Sequence, residues 1–167
     1  MKTAFIGLVS LALMPAAYAG DIHITFSDEM VEDLQDDYGM READYLTEQL
    51  REDIMQEFDG KLDMYGDITV EIVDAKPNRP TFQQMGDTPG LSMRSVSLGG
   101  AKLTGSIEDL DGNVISVTDY RYYENDIRAV VGRATWSDAN RAFDRFARKL
   151  AKDVEAAAPQ AAGDDVS

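Results

Sequence analysis

Ile22, Ile24 and Phe26 alternate with His23 and Thr25, the period of a strand buried on one face, and Ser27-Asp28 closes it. Residues 28–39 are mostly acidic, with isolated Met30, Val31 and Leu34, room for a helical turn. Beyond Gly39, the residues Ala43, Leu46, Leu50, Ile54 and Phe58 recur at helical spacing as far as Gly60, which predicts an amphipathic helix with a glycine stop. Ile68, Val70 and Ile72 alternate again, giving a second strand that ends at Ala75. Two extended runs, Ser95 to Leu110 and Val114 to Tyr123, flank Asp111-Gly112, a strong hairpin signal. Gly99-Gly100 inside the first run marks a bulge or an edge. Trp136-Ser137 introduces the last helix, with Ser137 as the expected N-cap and Phe143, Phe146, Ala147, Leu150 and Val154 on its apolar face.

The order is β-α-β-β-β-α. Two main helices that can cover one face of a small mixed or antiparallel sheet predict an α+β sandwich of two layers. One stretch resists the pattern. AKPNRPTFQQMGDTPGLSMRS, residues 75–95, holds three of the five prolines and has no period, yet Phe82, Met85, Leu91 and Met93 are too apolar for a solvated linker. It reads either as a recognition loop carried by Arg79 and Phe82 or as a structural crossover that covers a sheet edge.

The first nineteen residues have a positive start at Lys2, an apolar run from Ala4 to Met14 and Ala17-Tyr18-Ala19 before Gly20, the layout of a secretory signal cleaved after Ala19. The expected organisation is a signal at 1–19, a single α+β domain at 20–155 and a disordered tail at 156–167. No second apolar run of spanning length follows, so no integral membrane segment is expected after cleavage. Without cysteine there are no disulfides, and the stability of the 148 residues left after removing 19 of 167 rests on an ordinary core.

Charge narrows the partners. Sixteen basic against 31 acidic residues give a net charge of −15, and loss of Lys2 with the leader makes it −16. Such a surface repels nucleic acid and anionic lipid. The charge is uneven: sixteen acidic and three basic residues lie between Gly20 and Asp67, whereas Arg121 to Lys152 carries eight basic residues.

AKLTGSIEDLDGNVISVTDYRYYE, a strand, an Asp-x-x-Gly turn and a second strand, followed by the Trp-led helix WSDANRAFDRFARKLAKD, resembles several uncharacterised exported bacterial families. These are similar in layout to the N-terminal α+β domain of TolB and to the curli-secretion lipoprotein. This chain departs from them in having no lipid-attachment cysteine and no room for the TolB propeller. The resemblance implies a periplasmic, envelope-associated protein that works through contacts with an envelope protein partner, and it carries over no catalytic residue.

Catalytic chemistry has little to work with. One histidine, His23, and no cysteine leave no material for the usual triads or thiol sites; no Gly-x-Ser-x-Gly elbow, Ser-x-x-Lys, His-Glu-x-x-His or phosphate loop is present. Asp109-Leu110-Asp111-Gly112-Asn113 invites a calcium loop, but placing Gly112 at the sharp turn puts Ile107 and Thr118 at the first and last ligand positions, and neither is a carboxylate. We therefore expect a non-enzymatic protein with no cofactor, no metal and no catalytic residues. The alternative is a carboxylate-based hydrolase or carbohydrate-active protein, for which the many acidic residues allow a pair without identifying one. Oligomeric state stays open.

Two further surfaces are candidates. Arg141, Arg145, Arg148 and Lys152, at i, i+4, i+7 and i+11, form a basic stripe opposite the apolar face of the last helix. It reads either as a solvated face neutralised by the acidic first helix or as a docking strip for an acidic partner. On the last strand, Tyr120 and Tyr122 share one face and Arg121 and Tyr123 the other, a composition suited to cross-strand packing or to an interface.

Overall fold

The computed structural model describes residues 20–157; the expected signal and residues 158–167 of the expected tail lie outside them. The elements are β1 (Ile22–Phe26), α1 (Asp28–Asp33), α2 (Met40–Glu57), β2 (Ile68–Lys76), α3 (Phe82–Asp87), β3 (Gly100–Glu108), β4 (Val114–Tyr123) and α4 (Ser137–Ala157). A wide π turn, Leu34–Tyr38, joins α1 to α2. The strands form one sheet in the order β1-β2-β3-β4, parallel between β1 and β2 and antiparallel elsewhere. The fold is the expected α+β two-layer arrangement with a mixed sheet.

Side-chain alternation decides which face the helices cover. Ile68, Val70 and Ile72 of β2 stand beside Ile107, Gly105 and Leu103 of β3, and all are buried. Against them lie Leu46, Leu50 and Ile54 of α2 and Phe143, Phe146, Leu150 and Val154 of α4, also buried. Gly105 is needed for closeness: a Cβ there would sit 2.7 Å from Phe146 Cζ, so its absence lets the ring lie on the strand. The opposite face, with His23, Thr25, Thr69, Glu71, Lys102, Val117, Asp119 and Arg121, is exposed. His23 lies on this side, 3.5 Å from the Asp67 carboxylate.

A bulge between Ile72 and Asp74 changes what β2 displays. Strict alternation would aim Asp74 into the core with Ile68, Val70 and Ile72. The extra residue returns Ala75 to the buried face and puts Asp74 opposite Lys102 on the open one. The Val73 carbonyl at the bulge accepts from Ser27 Oγ at 2.8 Å, and the same Ser27 Oγ caps α1 by accepting from Met30 N at 3.2 Å. The Asp111-Gly112 hairpin forms as expected, with Gly112 at φ +83° and Asp109 Oδ1 accepting from the N–H groups of Asp111 and Asn113.

Two expectations need correction. The run from Ser95 is not strand until Gly100, because Ser95 and Ser97 bond back to Ser92, Pro77 and Asn78 of the crossover, and pairing along β4 resumes only at Gly99, whose carbonyl accepts from Glu124 N. Ser137 does not cap α4 but is its first residue, its hydroxyl accepting from Ala134 N at 2.9 Å. The free N–H of Asp138 is satisfied by the side-chain oxygen of Asn78 at 2.9 Å, so the cap comes from sixty residues away.

Candidate functional site

Asn78 organises the crossover. Fully buried, it donates to Asp138 Oδ2 at 2.5 Å and to Ser97 O at 3.4 Å. Its backbone N–H reaches Thr135 O at 2.6 Å and its carbonyl accepts from Ser97 N at 2.9 Å. Asp138, equally buried, is also bound by Arg133, whose other terminal nitrogen lies 3.4 Å from Glu124 Oε2. A polar group removed from water is stable only when its hydrogen bonds are made, and this network makes them. It ties residues 77–79, 97–99, 124, 133–135 and the start of α4 into one rigid knot.

Arg79 belongs to that knot. Its Nε donates to Arg133 O and a terminal nitrogen donates to Met93 O, so the guanidinium latches two backbone segments together. After it, α3 opens with a capping box: Thr81 Oγ1 accepts from Gln84 N at 3.3 Å and Gln84 Oε1 accepts from Thr81 N at 3.1 Å. Gln84 then reaches Asp37 at 2.8 Å and Gln83 the carbonyl of Gln35 at 3.2 Å, which docks α3 on the π turn.

Phe82, the first residue of α3, is left 73% exposed. It lines a groove of about 270 Å³ with Arg41, Glu42, Tyr45, Ala134, Thr135 and Trp136. The floor is stiff: Trp136 Nε1 donates to Glu42 Oε2 at 2.6 Å, and its ring meets Tyr38 edge-on at 5.6 Å between centroids. Tyr45, half-exposed, accepts from Asn140 Nδ2 at 2.7 Å. A large aromatic held at the surface, beside a second aromatic and rimmed by Arg41 and Glu42, has the composition of a protein-recognition centre. A second groove of about 290 Å³ lies between Tyr38, Lys76, Pro77, Pro80, Leu91 and Leu98.

The other sequence candidates fall elsewhere. Tyr123 and Arg121 lie on the open sheet face, the Arg121 guanidinium 5.2 Å from the Tyr123 ring centroid. The Tyr123 hydroxyl donates to Asp74 across β3, and burial, followed by that carboxylate, pushes the phenol above its ordinary value. Neither residue lines the Phe82 groove. On α4, Arg141 donates to the Tyr122 hydroxyl at 3.2 Å and Arg145 stacks 4.8 Å from the Tyr122 ring centroid. Arg148 pairs with Asp144 one turn earlier on its own helix, and Lys152 is exposed. Among the described residues no salt bridge joins this stripe to α2.

Carboxylates do meet in the seam between α2 and α4. Burial, reinforced by Asp144 and Glu52 against Gln49 and Arg148, raises the Asp53 carboxyl to about 6, and its Oδ2 is buried with no hydrogen-bond partner among the described residues. Neither Asp53 nor Asp144 lines the two grooves above, and the effect of this carboxyl that follows from its surroundings is on the pH dependence of stability. The sign follows from the shift: the folded protein holds this proton more tightly than the unfolded chain, so the contribution of Asp53 to stability is fully present below pH ~4 and is lost as pH rises through about 6. Asp53→Asn is expected to remove that slope and to stabilise the protein above pH 7 by about 1 kcal/mol, less than the full shift implies because the seam is half open to water. Urea melts across pH 4–8 check it; an unchanged slope in the variant would refute the assignment.

Sequence reading singled out Phe82 and Arg79 but missed Asn78, Tyr45 and Trp136 as their setting. Tyr45 carried a usable signal, an aromatic on the polar side of α2 between buried Ala43 and Leu46. Asn78 carried none, since an asparagine between prolines reads as a turn residue.

No known protein family matches the chain, and no curated protein matches it. Among solved structures, a minor lipoprotein from Acinetobacter baumannii matches over 83% of this chain and 94% of its own, at 13% identity and a TM-score of 0.34. That likeness is too loose to carry an argument about function. No helix among the described residues is long and apolar enough to cross a membrane.

Proposed function

We propose that this chain is an exported, periplasmic protein of the cell envelope that acts by binding another protein, with the Phe82 groove as its recognition surface. The export pattern of residues 1–19 and the resemblance in layout to the TolB N-terminal domain and the curli-secretion lipoprotein support the compartment. The observation that carries the surface is the exposure of Phe82 on a helix that its neighbours lock in place through Thr81, Gln83 and Gln84. An aromatic whose exposure is enforced by the fold costs solvation in the free protein and returns it on binding. The partner element that fits is an apolar side chain entering between Phe82 and Tyr45, with polar neighbours meeting Arg41 and Glu42.

The test is affinity capture from the exported fraction under crosslinking, comparing the wild type with Phe82→Ala. Recovery of the partner is expected to fall about tenfold or more, while the unfolding free energy moves by no more than about 0.5 kcal/mol, as for other exposed positions. Unchanged capture by a normally folded variant would remove the groove from the binding surface.

A further inference from the structure

Among the described residues β4 ends the sheet, with β3 as its one neighbour. Glu124 N donates to Gly99 O at 2.9 Å, continuing the β3–β4 register in which Ala101 faces Tyr122 and Leu103 faces Tyr120. By the two-residue alternation of an antiparallel ladder, the backbone groups of Thr118, Tyr120 and Tyr122 also turn toward β3. Those of Val117, Asp119, Arg121 and Tyr123 therefore turn outward, along a ten-residue strand that contains no proline. α4 packs beneath its inner face, where Asp153 accepts from Thr118 Oγ1 at 2.7 Å and Arg141 and Arg145 hold Tyr122. An open edge of this length is a template for another strand.

We propose that the strand it accepts is β4 of a second copy of this chain, antiparallel about a two-fold axis at Tyr120, so that two four-stranded sheets become one. Backbone direction admits only registers in which the odd-numbered residues face one another. Among the central ones, centring on Asp119 or on Arg121 sets like charges opposite each other. Centring on Tyr120 sets Asp119 against Arg121 twice, and places Val117, which is 62% exposed, against Tyr123 twice. The same register brings Thr118 with its Asp153 opposite the second copy's Tyr122 with its Arg141 and Arg145. Opposite charges thus meet on both faces of the pair, from independent side chains.

This edge shares no residue with the Phe82 groove, so either reading can fail alone. A two-strand contact buries less than the roughly 1,200 Å² of a stable interface, and the chain's net negative charge opposes approach; the pairing is correspondingly weak. Sedimentation equilibrium of the exported protein from about 10 µM to about 1 mM, in near-physiological salt, is the measurement. We expect a dimer at the upper end, with Asp119→Arg and Arg121→Asp each raising its dissociation constant about tenfold or more and the double variant recovering to within about threefold of wild type. Val117→Pro, which removes an outward N–H without touching the β3 ladder, is expected to weaken it as well; circular dichroism confirms folding of each variant. A monomer throughout, a dimer indifferent to the single reversals, or a double variant that does not recover would each overturn the proposal. So would a monomer that takes up an oligoglutamate peptide along the same edge, which would assign that edge to an acidic partner.

Discussion

Asn78→Ala is expected to lower the unfolding free energy by about 3–5 kcal/mol, because it removes the partner of a buried charged group and leaves backbone groups unsatisfied at the same time. The side chain it deletes donates to Asp138 and to Ser97 O and accepts from Asp138 N. With it gone, the first turn of α4 loses its cap and Asp138, fully buried, keeps only Arg133. Gly99 approaches this same side chain so closely that a Cβ there would fall 2.7 Å from Asn78 Nδ2, so the vacated space is enclosed by backbone and does not collapse easily. A urea melt measures the loss. A shift below about 1 kcal/mol would mean that water takes over the hydrogen bonds, and the knot would then not be what holds the crossover.

Phe146→Ala is the second large effect, at about 3–5 kcal/mol, the range for removing a fully buried aromatic from a packed core. The ring is wholly buried and rests on the bare backbone of Gly105, with Val70 beside it. The glycine and the ring are expected to be coupled. Gly105→Ala should cost about 1–3 kcal/mol beside the native ring and distinctly less in a Phe146→Leu background, where the contact at 2.7 Å is relieved. Chemical denaturation of the four members of this cycle gives the coupling directly; strictly additive losses would show that the ring does not depend on the glycine.

The first of these effects bears on the proposed recognition surface. Phe82 is presented by α3, α3 is anchored through Gln83 and Gln84 to the π turn, and the segment before it is held by Asn78 and Arg79. A groove presented this way loses little entropy on binding, which is why truncating Phe82 and truncating Asn78 are expected to separate so clearly: the first in capture, the second in stability.

Residue periodicity was enough to determine the number and order of the strands, the two long helices, the Asp111-Gly112 hairpin and the buried face of each regular stretch. Ile68, Val70 and Ile72, or Phe143, Phe146 and Leu150, state their own inward direction, because an element with a regular repeat has one apolar side and water leaves it a single way to turn. The basic stripe of α4 and the split of Tyr122 from Tyr123 were legible for the same reason. Residues 75–95 have no repeat and so no face that sequence could assign. Only the tertiary structure decided that Asn78, flanked by prolines and polar, is buried while Phe82, large and apolar, is exposed. The bulge that turns Asp74 outward, the displacement of Ser137 from the cap and the docking of Arg79 were decided there too. Each depends on a partner distant in sequence, Asp138 for Asn78, Tyr123 for Asp74 and Arg133 for Arg79, and local sequence records which bonds a side chain can make but not which distant group the fold will bring to it.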